Sequence, residues 1–231
     1  MIAVGVIDVG SPRSGKLGWA ILAPNDAPET GGDLDAFIAR IGALGRTSPL
    51  GIGFEAPLFI PTRAVAMDVL SGRKGEGSRA WSAGAGATVT TTALAVVTYT
   101  LARLRSHLPE ARAETAWSQP PAEPGQVLFF EAFVTGAAKG ADHAHDAWIA
   151  AEAAKDLLES TATVTSAIDE IEVFSLLGAS LLRTGWSTDL GVLSSPCLVV
   201  KPSPRRDANC PQEAGLGVTL GVSAKSVKDR A

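Results

Sequence analysis

Cysteine and histidine are scarce in this sequence, with two and three copies respectively in 231 residues. The two cysteines, Cys197 and Cys210, have no Cys or His neighbour at the spacing of a metal site. The first residues also lack the basic start and small-residue cleavage site of a signal peptide, so we expect a cytoplasmic protein with reduced thiols. This scarcity excludes a cysteine-based metal centre and a disulfide framework.

An excess of positive charge is also lacking. The chain has 20 Lys and Arg against 24 Asp and Glu, which gives a formal net charge of −4. A protein that coats nucleic acid needs clustered Lys and Arg to neutralise the phosphates. We therefore expect any contact with nucleic acid to be confined to a local site.

Apolar runs of membrane-spanning length are missing as well, because Gly, Thr or charged residues interrupt each run. We therefore expect no membrane segment. The composition, 46% hydrophobic and 19% charged, is that of a globular protein. The length suits one generous domain, which we assign to residues 1–202, with a C-terminal tail over residues 203–231.

The order of the predicted elements is that of an α/β fold. Two short apolar runs, residues 2–9 and 17–22, flank a turn rich in Gly and Ser, which predicts an antiparallel hairpin. Residues 61–86 are dense in Gly and charge, so we expect a flexible insertion there. Periodicity predicts helices over residues 33–44, 88–107, 142–159 and 168–183, and further strands over residues 50–55, 126–134 and 197–200.

Acidic residues end or interrupt the predicted strands. Asp8 ends the first apolar run, Glu55 ends the run before Pro57, and Glu131 lies inside the run over residues 126–134. A carboxylate in such a place is costly to bury unless it binds a cation or accepts several hydrogen bonds. Asp8 and Glu55 taken singly are equally compatible with a simple turn, so the signal lies in the set.

The start of the predicted helix over residues 142–159 adds two more candidates. His143 and Asp146, or Asp142 and Asp146, lie one helical turn apart and can face one site. His145 projects from a different helical face than Asp146, so we leave it out. The alternative for these residues is a surface cluster.

In this order, the segments resemble the acidic motifs of the RuvC-type branch of the ribonuclease H-like superfamily. The segments are Ile7-Asp8-Val9-Gly10 with Gly18-Trp19-Ala20, then Gly53-Phe54-Glu55, then His143-Ala144-His145-Asp146-Ala147. The chain is more closely similar to the DUF429-like predicted nucleases, which also have a Glu in a late strand, here Glu131. The resemblance implies a ribonuclease H-like mixed sheet with an antiparallel N-terminal hairpin and helices on both faces.

The resemblance also implies a divalent-metal-dependent nuclease or phosphodiesterase. It makes Asp8 the ligand that bridges two ions and gives Glu55 and Asp146 one ion each. His143 then replaces or supplements a fourth acid, and Glu131 is a further ligand. Oxygen ligands suit Mg²⁺ or Mn²⁺, and two ions about 3.5–4 Å apart activate water and stabilise the leaving oxygen.

The insertion over residues 61–86 contains cationic side chains and an aromatic ring. Such side chains commonly bind phosphates and stack on a base at a local nucleic-acid site. Its candidates for substrate binding are Arg73, Lys74, Arg79 and Trp81. The alternative is a solvated loop with no such role.

Two other functions stay open at this point. One is a non-catalytic binding module that has kept the ribonuclease H-like fold. The other is an ATP-handling protein of the actin-like or sugar-kinase-like type, in which residues 10–15 would hold phosphate. The chain has neither the length nor the second Gly-rich loop that such proteins use.

Overall fold

The computed structural model describes residues 1–77, 80–135 and 138–203. These residues form a mixed seven-stranded sheet, a two-stranded sheet and four α-helices, an α/β architecture. Along the chain the elements are β1 (Ala3–Asp8), β2 (Gly18–Leu22), β3 (Glu29–Gly31), α1 (Leu34–Leu44), β4 (Leu50–Glu55), β5 (Phe59–Pro61), α2 (Gly84–His107), β6 (Arg112–Glu114), β7 (Gln126–Ala132), α3 (His143–Glu159), β8 (Val173–Ser175), α4 (Leu176–Arg183) and β9 (Val199–Val200). Residues 204–231 of the predicted tail, with Cys210, lie outside the described residues.

The large sheet has the strand order β3-β2-β1-β4-β7-β6, and β9 also pairs with β7. β1 and β2 form the predicted antiparallel hairpin, which β3 extends. β1, β4 and β7 are neighbours and run parallel to one another. Their C-terminal ends therefore meet at one edge of the sheet, where ligand sites of open α/β sheets usually lie.

The sheet is covered on both faces, because successive side chains of a strand point to opposite sides. In β1, Ile7 joins a core cluster with Phe37 of α1 and Leu101 of α2, and we call this side the α1/α2 face. Val6 joins a second cluster with Ala150 of α3, and we call this side the α3 face. The predicted mixed sheet with an N-terminal hairpin and helices on both faces is thus confirmed.

One predicted helix is wrong over its first half. Of the span over residues 168–183, only the part from Leu176 onward is helical, and β8 precedes it. Ile171 is 84% exposed, and β8 pairs with β5. Ser175 then caps α4 by accepting a hydrogen bond of 3.0 Å from the Gly178 amide. The apolar residues of β8 and α4 follow one another without a break, so their combined spacing imitates that of a single helix.

The long helix α2 begins at Gly84, four residues before the predicted start at Thr88. The Thr88 hydroxyl donates to the Gly84 carbonyl at 3.2 Å, so the β-branched residues continue the helix by bonding to the preceding turn. Leu94 of this helix is exposed. The buried positions are Ala93, Val96, Val97, Thr100, Leu101 and Leu104.

By length and composition α2 is also the one helix, within the described ranges, that is long and apolar enough to cross a membrane. The core helix of a globular protein meets the same criterion. Here α2 packs against α1 and α4. The absence of a membrane segment therefore stays a prediction.

A buried arginine ties the segment over residues 61–86 to the sheet. The Arg73 guanidinium donates two hydrogen bonds of 2.7 Å to the carboxylate oxygens of Glu131 in β7. It also donates to Glu76 Oε1 from Nε at 3.1 Å and from Nη2 at 2.9 Å. The side chains of Arg73 and Glu131 are 0% and 1% exposed. Burial lowers the pKa of Arg73, but Glu131 and Glu76 raise it by more, so the ion pair persists. Flexibility elsewhere in the segment stays a prediction.

Replacing Arg73 should destabilise the fold strongly. Arg73→Met leaves Glu131 and Glu76 buried without their cation, so we expect a loss of about 3–5 kcal/mol in the free energy of unfolding, measured by urea denaturation. The control is Lys74→Met, the neighbouring cation, whose ion pair with Asp169 is exposed and should matter little. Equal effects of the two variants would contradict this account of the buried pair.

Candidate metal site

Asp8 and Glu55 are the last residues of the neighbouring parallel strands β1 and β4, where they are direct register partners. Both point to the α3 face because a strand repeats every two residues. Val6 precedes Asp8 on that face, and a Cβ at Gly53 would meet Phe130 and Val6 of the same cluster. The pairing of two strands therefore sets two carboxylates side by side.

The first turn of α3 supplies the third carboxylate, Asp146. Asp142 caps the helix by accepting a 2.8 Å hydrogen bond from the His145 amide. The helix comes close to β2 because Gly18 lies beneath it, and a Cβ there would stand 2.3 Å from the backbone of His143. A residue without a side chain is thus required where the helix meets the hairpin.

The three carboxylates converge on one point. One oxygen from each of Asp8, Glu55 and Asp146 lies within 4.8 Å of the others, so the group could hold a metal ion. The side chains are 9%, 13% and 7% exposed respectively. Carboxylate oxygens are the donors that hard divalent cations prefer. Three members of the predicted set are thus brought together.

Burial and nearby negative charge make Glu55 and Asp8 hard to ionise without a cation. Burial, reinforced by the charge of Asp8, raises the pKa of Glu55 to about 9. Burial also raises the pKa of Asp8, against the lowering effect of its hydrogen bond with His143. A divalent ion among the carboxylates would favour their charged forms and reverse both shifts.

His143 reaches the site through Asp8. Its Nδ1 atom lies 2.5 Å from Asp8 Oδ2, and about half of its side chain (48%) is exposed. The imidazole is not among the groups that share the metal position in the described residues. The contact suits a residue that orients the Asp8 carboxylate, as partners of metal ligands commonly do.

Lys139 is the site residue that sequence reasoning missed. Its Nζ atom lies 2.8 Å from Asp146 Oδ2 and 3.7 Å from Glu55 Oε1. Burial lowers the pKa of Lys139, but Asp146 and Glu55 raise it by more, so the ammonium stays charged. A lone lysine between a strand and a helix belongs to no periodic pattern, and only its place before the acidic helix start hints at a role.

One oxygen of the cluster is left without a partner. Glu55 Oε2 is buried and accepts no hydrogen bond from the described residues. Such an oxygen costs about 1–3 kcal/mol, and more when it is charged. By contrast, both oxygens of Asp146 are engaged, Oδ1 by the Gly140 amide at 2.5 Å and Oδ2 by Lys139. The unused acceptor capacity therefore lies on Glu55, beside Asp8.

Asp8 and Glu55 open into a cleft of about 190 Å³. Asp8, Glu55 and Lys139 form one wall, and the start of α2, with Gly86 and Val89, forms another. A small ion or a phosphate-sized group can therefore reach the acidic cluster from solvent.

Glu131, predicted as a further ligand, lies on the opposite face of the sheet. It is the register partner of Phe54, which packs on the α1/α2 face, one residue before Glu55 turns to the α3 face. Its carboxylate binds Arg73 and accepts a 2.9 Å hydrogen bond from the Leu58 amide. This geometry corrects the prediction, because Glu131 anchors the fold and does not join the metal cluster.

Three of the four predicted substrate-binding residues have their positions described, and none of the three lines the cleft. Arg73 is buried against Glu131, and the Lys74 ammonium pairs with Asp169 at 2.8 Å on the surface. The Trp81 indole donates to the Ser71 carbonyl at 3.1 Å. None of these three lines the cleft, and Arg79 lies outside the described residues. Arg73 is therefore corrected to a structural residue, and the other roles stay predictions.

Comparison with protein-family models, with curated protein sequences and with solved structures gives no match for this chain.

The raised pKa of Glu55 predicts how stability depends on pH when no metal is present. The folded chain keeps the Glu55 proton up to about pH 9, whereas an ordinary glutamate loses it near its usual pKa of 4.5. The folded state thus binds more protons between these values, and the free energy of unfolding falls as the pH rises through them. Glu55→Gln should flatten this slope and raise the melting temperature at about pH 8, by roughly 2–4 °C for each kcal/mol gained.

The measurement is thermal unfolding in a chelator across this pH range. Glu110→Gln, at an exposed glutamate, is the matched control and should leave the slope unchanged. A slope that persists unaltered in Glu55→Gln would show that Glu55 does not carry the effect.

Proposed function

We propose that this protein is a divalent-metal-dependent nuclease or phosphodiesterase with a ribonuclease H-like fold. The observation that carries the proposal is the convergence of Asp8, Glu55 and Asp146 from β1, β4 and α3. Acids that only solvate a surface would not be gathered from three elements into a largely buried cluster, because their mutual repulsion raises the free energy of the fold.

The architecture supports the fold part of the proposal. An antiparallel hairpin begins the sheet, the first acid ends β1, and helices cover both faces, as the resemblance to the RuvC-type branch implies. The second acid ends the strand that pairs in parallel with β1. The third acid lies on a helix that packs across the same edge.

The chemistry of the donors supports the activity. Oxygen ligands favour Mg²⁺ or Mn²⁺, and such an ion supplies an activated water and charge stabilisation at a phosphodiester. Asp8 and Glu55 would hold the ion, His143 would orient Asp8, and the cleft would admit the phosphate. The described residues that line the cleft include the carboxylates of Asp8, Glu55 and Glu76 and the ammonium of Lys139. These carboxylates would repel a polyanion unless a bound metal ion offsets their charge. Contact with nucleic acid would therefore be confined to the metal-loaded site.

Metal ions should stabilise the wild-type protein and not the variant Asp8→Asn. A ligand at about 100 times its Kd adds about 2.7 kcal/mol to the free energy of unfolding, which is several degrees of melting temperature. The measurement is thermal unfolding in rising Mn²⁺ or Mg²⁺. Asp169→Asn, at an exposed aspartate, should keep the full shift. If neither metal raised the melting temperature of the wild-type protein, the proposal would be refuted.

The catalytic part is tested with the same three proteins. Hydrolysis of labelled single-stranded and double-stranded DNA and RNA should require Mn²⁺ or Mg²⁺ and should fall at least about 100-fold in Asp8→Asn. Metal stabilisation without hydrolysis of any of these substrates would favour the non-catalytic binding module instead.

A further inference from the structure

Lys139 already places a positive charge inside the acidic cluster. Its ammonium stands between Asp146, at 2.8 Å, and Glu55, at 3.7 Å, and it lines the cleft into which Asp8 also opens. A bound metal ion would likewise be a cation that lies between carboxylates. The ammonium and an ion therefore compete for the Asp146 side of the cluster.

The hydrogen bonds engage one carboxylate of the cluster completely and leave another with an acceptor oxygen that has no partner in the described residues. Both oxygens of the Asp146 carboxylate accept hydrogen bonds, one from the Gly140 amide and one from the Lys139 ammonium. Glu55 Oε2 is buried and without a partner in the described residues, and it belongs to the strand end that pairs with Asp8. An incoming ion therefore finds an oxygen without a partner on Glu55, next to Asp8, whereas both oxygens of Asp146 are already engaged.

The charges point the same way. With three ionised carboxylates and one ammonium the cluster carries two negative charges, and a single divalent ion neutralises it. A second divalent ion would leave a net positive charge in a largely buried group and would lie beside the ammonium. Uncompensated charge of this kind is strongly unfavourable where little water is present.

We propose that the site binds one divalent ion, held by Asp8 and Glu55, and that the Lys139 ammonium, held by Asp146, takes the place of a second ion. This inference rests on the proposed function and deepens it. It differs from the two-ion arrangement that the resemblance implies, and it gives Asp146 the role of positioning Lys139 rather than that of a principal metal ligand. The positive charge of Lys139 then faces the cleft where a phosphodiester would lie.

The test is the number of Mn²⁺ ions bound per chain. It is measured by isothermal titration calorimetry and by the electron paramagnetic resonance signal of free Mn²⁺. Wild type should bind one ion. Lys139→Met removes the competing charge and should bind two, whereas Lys139→Arg keeps the charge and should stay at one. Lys74→Met, which removes a lysine paired on the surface, should also stay at one. Each variant is first shown to unfold cooperatively in Mn²⁺.

The outcomes separate this inference from the proposed function. Two ions in wild type would overturn the role of Lys139 while leaving a metal-dependent enzyme intact, and this result needs no variant to fold. One ion in both wild type and Lys139→Met would overturn it as well. No bound ion in wild type would overturn the proposed function and, with it, this inference.

Discussion

The parallel register of β1 and β4 is the constraint on which the rest of the site depends. It sets Asp8 beside Glu55, and the two-residue period of the strands turns both toward α3. A shift of one residue in either strand would send one carboxylate to the α1/α2 face and would disrupt the packing of both core clusters. Packing on both faces therefore fixes the positions of the two carboxylates in the candidate metal site. Val6 and Phe54 must stay buried for the strands to pair in this way.

This arrangement lowers the stability of the metal-free protein. The raised pKa of Glu55 and the unpartnered oxygen on the same side chain both show a carboxylate that the fold does not satisfy. Strain of this kind persists only when the surrounding packing enforces it. Here β4 runs between β1 and β7 in the middle of the sheet, so the backbone of Glu55 is held on both sides. The three carboxylates thus already lie close enough together to hold a cation.

Sequence reasoning found the residues whose signal is local. Asp8 and Glu55 end apolar runs, and Asp146 follows a helix cap, so each could be recognised within a few residues of sequence. The face of Glu131 could not be recognised in this way. Its strand is apolar on both sides, with Phe129 on one face and Phe130 on the other, so alternation gives no direction until the partner strand is known. The same limit applies to Lys139, whose partners are fixed only by tertiary structure.

Two cations on opposite faces of the sheet show why one buried acid is structural and another is available for chemistry. Arg73 binds Glu131 with two hydrogen bonds of 2.7 Å, and a guanidinium in that geometry stays charged and leaves no acceptor unused. Lys139 approaches Glu55 only to 3.7 Å, and a compact ammonium cannot satisfy both oxygens of Glu55 while it also binds Asp146. The first pair is complete, so it can only hold the segment around Arg73 against the sheet. The second leaves the three carboxylates short of two positive charges and one oxygen of Glu55 without a partner, and a divalent ion bound there would meet both needs.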